Sequence, residues 1–254
     1  MSVLSEYIAN AELCPPVQLL PLMHSCECFD ARNIIFADCL EATLCKVFKE
    51  KLLYFYYGKA AYPVGDKLEL NRTDCQYAPV CFIVDFKKVP IYKIYPFDSG
   101  AYDNELYKNF FHRRMNIKEF EIPSNIESIQ KYITTFFGDN QQYIDGQALP
   151  LNDTGNPYID ALISLLAVRG GEKIDERAHT IEVICNESLR LKDVVKCIVL
   201  PVNLLRDENI SQYLKDNDIE YITYKVKPLV HPTKYYGVIS EKVEEYIVLH
   251  EEVC

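Results

Sequence analysis

The chain has 254 residues, enough to bury a sizeable core, and its 49% hydrophobic and 25% charged residues are a globular composition. That excludes disorder, collagen and low complexity. Acidic side chains outnumber basic ones 37 to 27, giving a net charge of −10, which argues against coating duplex DNA through bulk charge while leaving a local basic patch open.

Met1 to Tyr7 carries no basic region and no continuous apolar run, so it does not read as a secretory signal. No stretch reaches the roughly 18 apolar residues of a membrane span. The expectation is a cytoplasmic protein with no membrane partner. Its 10 cysteines then read as reduced thiols, several of them acting as small hydrophobes inside apolar runs.

In chain order, Pro15-Pro16 breaks any early element. Leu19 to His24 reads as a short strand ending at His24. Leu40, Leu44, Val47 and Phe48 share one face of a helix predicted over 38–51. Leu52 to Tyr57 reads as a buried aromatic strand stopped by Gly58, and Val80 to Phe86 as a second strand. Ser124 to Glu127 fits a capping box for a helix bearing Ile126, Ile129, Ile133 and Phe137, with Gly138 as its stop. Asn156-Pro157 opens another helix, ended by Gly170-Gly171. Thr180 to Cys185, Cys197 to Leu200 and Glu220 to Val226 read as strands. Asp207 caps a helix to about Asn217, and Ser240 caps a last helix to about Glu251. The pattern predicts one α+β domain over 1–254, with an irregular insertion within 63–124.

Phosphate-loop, GxGxxG, GxSxG and HExxH motifs are absent. His24-Ser25-Cys26-Glu27-Cys28 gathers soft ligands, but no second Cys pair of zinc spacing follows, so no metal is expected. A metal-stabilised interaction domain stays an alternative. Strand alternation places Thr180, Glu182 and Ile184 on one face and Ile181, Val183 and Cys185 on the other. Glu182 is then a mid-strand carboxylate, on a solvated sheet face or in a cleft.

Three segments stand in a suggestive order: His24; Tyr54-Phe55-Tyr56-Tyr57-Gly58-Lys59 running on to Tyr62; and Arg177 to Val183. This order resembles the ADP-ribosyltransferase fold, and more narrowly its DarT-like branch. There an early His precedes an aromatic strand and an Arg-containing turn, and a later strand carries a catalytic Glu. Lys59 stands where that branch prefers Arg, and the gap from Arg177 to Glu182 is longer than the branch's. The resemblance covers about residues 20–65 and 172–205. It implies a split mixed or antiparallel sheet with flanking helices, and an enzyme using NAD as substrate, such as a microbial toxin or phage-defence effector. It implies catalytic roles for Glu182 and Lys59, and NAD contacts from His24, Tyr54, Tyr56, Tyr62 and Arg177. An NAD glycohydrolase and an inactive binding module of the same fold are the alternatives.

Residues 107–120 interleave Lys108, Arg113, Arg114 and Lys118 with Tyr107, Phe110, Phe111 and Phe120. Such a segment can track a single-stranded nucleic acid, rings stacking on bases and cations meeting phosphates. The same pattern fits an element whose rings enter the core, and a protein acceptor is equally open.

Overall fold

A computed structural model describes residues 1–11, 18–61, 75–168 and 175–250. Its strands are β1 (Leu22–Glu27), β2 (Cys39–Leu40), β3 (Thr43–Leu44), β4 (Lys51–Tyr57), β5 (Pro79–Val84), β6 (Lys93–Tyr95), β7 (Glu182–Cys185), β8 (Leu189–Arg190), β9 (Val195–Pro201) and β10 (Glu220–Tyr224). Its helices are α1 (Val3–Ala9), α2 (Cys28–Ala37), α3 (Ser99–Asp103), α4 (Ile126–Phe136), α5 (Asn140–Ile144), α6 (Pro157–Leu166), α7 (Leu191–Val194), α8 (Glu208–Asp216) and α9 (Tyr236–His250). The class is α+β. None of the helices among the described residues is long and apolar enough to cross a membrane. Tyr62, Pro15-Pro16 and Gly170-Gly171 lie outside the described residues.

The chain divides into two compact units. The first comprises Met1–Leu19, Lys46–Lys49 and Ile91–Ile184. Its helices form because apolar residues recur every three or four positions. On α4, Ile129, Tyr132, Ile133 and Phe136 face inward. The cap of α4 is Asn125, whose side chain accepts from the Ser128 N–H at 2.9 Å. Ser124, the expected cap, instead donates to the Tyr92 carbonyl. Gly138 follows α4 at φ +91°, a conformation that favours glycine. Asn156 caps α6 as expected, with Pro157 in its first turn. Strands β6 and β7 pair antiparallel, Tyr95 opposite Glu182.

The second unit comprises Leu20–Cys45, Glu50–Pro90 and Cys185–Cys254. Its strands run in the order β10-β9-β5-β1-β4, with β3 beside β4. Pairing is antiparallel at β9-β5, β5-β1 and β1-β4, and parallel at β10-β9. Every residue of the central β5 is buried, which its unbroken apolar run requires. Asp207 caps α8 through the Asn209 N–H, as the spacing predicts.

Three expectations are corrected. Residues 38–51 are not a helix: Asp38 takes a left-handed conformation (φ 49°) that ends α2, and Leu40 then pairs with Leu189. The partner strand lies about 150 residues away in sequence, so local periodicity cannot reveal it. Strand β1 runs past His24 to Glu27 because β5 supplies a ladder along its whole length. Helix α9 begins at Tyr236, placing Ser240 inside it rather than at its cap.

Candidate functional site

Glu182 opens β7 and is 2% exposed. The solvated-face alternative is therefore overturned for this carboxylate. Both its oxygens accept from the Ser99 N–H, each at 3.3 Å. Ser99 occupies the first turn of α3, and that turn is locally encoded. Asp98 precedes it as the cap, its carboxylate accepting from the Ala101 N–H. The first-turn N–H groups of a helix lack intrahelical partners, so a carboxylate satisfies one of them.

Arg177 fastens this turn from behind. Its Nη1 meets Asp98 Oδ2 at 3.2 Å, while Nε and Nη2 grip the two oxygens of Asp175 at 2.9 and 2.6 Å. The Arg177 carbonyl accepts from the Asp98 N–H at 3.2 Å. Asp175 itself caps the short 3-10 turn that carries Arg177. A planar guanidinium fork suits this bidentate grip. Three of its N–H donors are held by protein carboxylates, so Arg177 positions the cluster.

Two hydroxyls beside the cluster, Ser99 Oγ and Tyr107 Oη, are buried without a hydrogen-bond partner. Burial raises the Tyr107 phenol well above its usual value, and the Asp98 and Asp175 carboxylates add to it against the opposing Arg177 charge. Tyr95, opposite Glu182 on β6, donates to Glu121 at 3.2 Å. Its phenol is also raised, by burial first and then by Glu121 and Glu182. Both phenols stay protonated, and Tyr95 donates to Glu121.

The other expected site residues belong to the second unit. His24 Nδ1 lies 3.0 Å from the Tyr54 carbonyl and donates to it, which leaves Nε2 as an acceptor. Burial lowers the His24 pKa, opposed by that backbone bond. The His24 ring packs against Phe55 and Phe82, with centroids at 5.9 and 6.2 Å. Met23 pairs with Tyr56, so strand alternation sends Tyr54 and Tyr56 to the face opposite the His24 ring. The structure brings His24 to the Tyr54 backbone and not to either tyrosine ring. The Tyr54 hydroxyl donates to Cys45 Sγ. Lys59 is 4% exposed, not a solvated charge. Gly58 before it has φ +66°, and a Cβ there would lie 2.5 Å from Leu20 Cδ1, so a side chain at that turn is strained and displaces Leu20.

Three of the four rings of residues 107–120 are withdrawn into the core, while Phe110 is half-buried. Tyr107, Phe111 and Phe120 are buried around Phe97, with centroids 5.2–5.7 Å from it. Lys108, Arg113, Arg114 and Lys118 remain exposed. Base stacking on the buried rings is thus corrected to core packing, which takes the aromatic faces away from solvent.

Asp98, Ser99 and Asp175 were not singled out by sequence, and Tyr107 was read only as a stacking or core ring. The signal present was Asp98 and Asp175 as helix-cap residues, which says nothing about what else they touch. Among the described residues no group of three or more His, Cys, Asp or Glu side chains is disposed to hold a metal ion. No protein-family model matches the chain, and no curated protein or solved structure does either.

Proposed function

We propose that the chain is an NAD-using ADP-ribosyltransferase-like enzyme with Glu182 as its catalytic carboxylate. The observation that carries this reading is the buried Glu182 side chain fixed by the Ser99 N–H. In this reaction the bond from ribose C1′ to the nicotinamide nitrogen breaks, and nicotinamide leaves with the electron pair. Positive charge develops on C1′ and the ring oxygen, as in glycoside cleavage. An acceptor nucleophile then bonds to C1′ and gives up its proton. A carboxylate already oriented by a backbone donor stabilises that charge without reorganising at the moment of reaction. The unpartnered Ser99 and Tyr107 hydroxyls are suited to polar groups of the sugar, since buried hydroxyls ordinarily find partners.

The exposed Lys108, Arg113, Arg114 and Lys118 suit the phosphates of a nucleic-acid acceptor; a protein acceptor is the other arm. Water as acceptor makes the enzyme an NAD glycohydrolase. An ADP-ribosyltransferase-like sheet, a cytoplasmic location and a role as a toxin or antiviral effector belong to the same proposal.

The test is nicotinamide release by purified protein, with and without DNA, RNA and protein acceptors, beside Glu182→Gln. Gln keeps an acceptor oxygen for the Ser99 N–H, so the fold persists while turnover falls by about 100-fold or more. Full turnover in that variant overturns the assignment. The alternative is an inactive binding module of the same fold. It is favoured by the grip of Asp98 and Asp175 on Arg177 and by the burial of Lys59. Absence of both nicotinamide release and an NAD-induced rise in Tm in the wild type selects it.

A further inference from the structure

We propose that Cys28 and Cys75 are an oxidisable dithiol, a modification site in the second unit that a small disulfide converts to an internal Cys28–Cys75 disulfide. Of the other described thiols, Cys26, Cys39 and Cys45 are half-buried. Cys81, Cys185 and Cys197 are fully buried within β5, β7 and β9. Cys28 begins α2, and Cys75 begins the short 3-10 turn Cys75–Tyr77 that leads into β5. Ala78 ties the two backbones together: its N–H donates to the Cys75 carbonyl at 3.0 Å, and its carbonyl accepts from the Cys28 N–H at 2.8 Å. The Cys75 thiol lies beside that of Cys28. Both face one cavity of about 430 Å³, shared with Arg32, Asn33, Gln76 and Asn203. A cavity of that size admits a small peptide-like reagent, and its wall mixes the apolar Phe29 and Leu204 with these polar side chains.

The chemistry is two successive exchanges. Cys75, the more accessible thiol, attacks as thiolate one sulfur of the oxidant, whose S–S bond breaks and releases one thiolate. Cys28, as thiolate, then attacks the Cys75 sulfur and releases the second. The two protein protons end on the two leaving thiolates. The protein loses two electrons and the oxidant disulfide gains them. The adjacent Cys75 thiol and burial hold the Cys28 thiol well above its usual value, with Arg32 opposing. That makes Cys28 the resolving rather than the attacking partner.

The test treats the folded chain with oxidised glutathione, blocks remaining thiols by alkylation, and maps the peptides by mass spectrometry. The expected result is a peptide joining Cys28 to Cys75, with both thiols lost together and both restored by dithiothreitol. Cys28→Ser traps glutathione on Cys75, and Cys28→Ala does the same should the hydroxyl disturb α2. Cys75→Ser leaves Cys28 alkylatable. Stable glutathione on Cys75 in the wild type with Cys28 still free overturns the proposal. So does a link from either residue to Cys26.

Discussion

Arg177 and Arg190 each meet aspartates at helix ends, at 2.6–3.2 Å and at 2.8 Å. Their surroundings differ sharply. The Arg177 side chain is 11% exposed and that of Arg190 60%. Arg177 sits between Asp98 and Asp175, and Asp98 caps the turn whose next N–H holds Glu182. Arg190 meets Asp38 in the second unit, where the carboxylate also accepts from the Tyr213 hydroxyl and the Lys192 N–H. A buried pair is costly to break because the abandoned charge stays out of water. An exposed pair is replaced by solvent at little cost. The same residue types therefore orient a carboxylate in one place and decorate a helix end in the other.

The largest expected effect is at Arg177. Replacing it with Met strands Asp98 and Asp175, and urea denaturation is expected to show a loss of about 3–5 kcal/mol. A loss below about 1 kcal/mol would put the Arg177 cluster in the exposed class. Asp98→Asn comes next. It keeps an acceptor for the Ala101 N–H and removes only the charge facing Arg177, so a smaller loss of about 1–2 kcal/mol is expected. On the proposed reaction, that variant also lowers nicotinamide release while substrate affinity holds, since it acts by positioning Glu182. An unchanged rate separates α3 from the chemistry.

The Asp38 cluster sharpens the contrast through pH. Partial burial raises the Asp38 pKa, but hydrogen bonds from Tyr213, Arg190 and the Lys192 N–H outweigh it and hold it below the ordinary 3.8. A folded value below the unfolded one means this contribution is complete above 3.8 and is lost as pH falls through the folded value. The stability gap between wild type and Asp38→Asn, followed by urea midpoints, is expected to narrow across that range. A gap that stays constant removes the linkage. The smallest effect is at Arg190→Ala, where no resolvable change in the urea midpoint is expected. Tyr213 and Lys192 remain on Asp38, and solvent replaces the guanidinium.

Much of the scaffold was legible because its signals are local. The aromatic run of β4 and its stop at Gly58, the apolar run of β5, and the caps Asn156 and Asp207 all stand where their residue types predict. Helix α2 was missed. It exposes Phe29 and Phe36 while burying Cys28, Ala31 and Ile35, so its apolar residues ring the helix and blur the periodicity. The 38–51 segment misled for the opposite reason. Its helical spacing is real, yet long-range partners draw Cys39–Leu40 and Thr43–Leu44 into strands.

The candidate site divides in the same way. Sequence alone placed Glu182 in a strand flanked by apolar residues and left two environments open. Asp98 and Asp175 are caps of a locally encoded kind, since capping needs only a short polar side chain next to its own helix, yet neither was singled out. Only the tertiary structure decided that Glu182 is buried, that Ser99 is its donor, and that Arg177 is held by aspartates. It alone turned the His24 ring away from Tyr54 and Tyr56, and the rings of Tyr107, Phe111 and Phe120 into the core. Periodicity tells which residues share a face. Whether that face meets water, a ligand or another element depends on contacts between residues distant in sequence, and those exist only once the chain is folded.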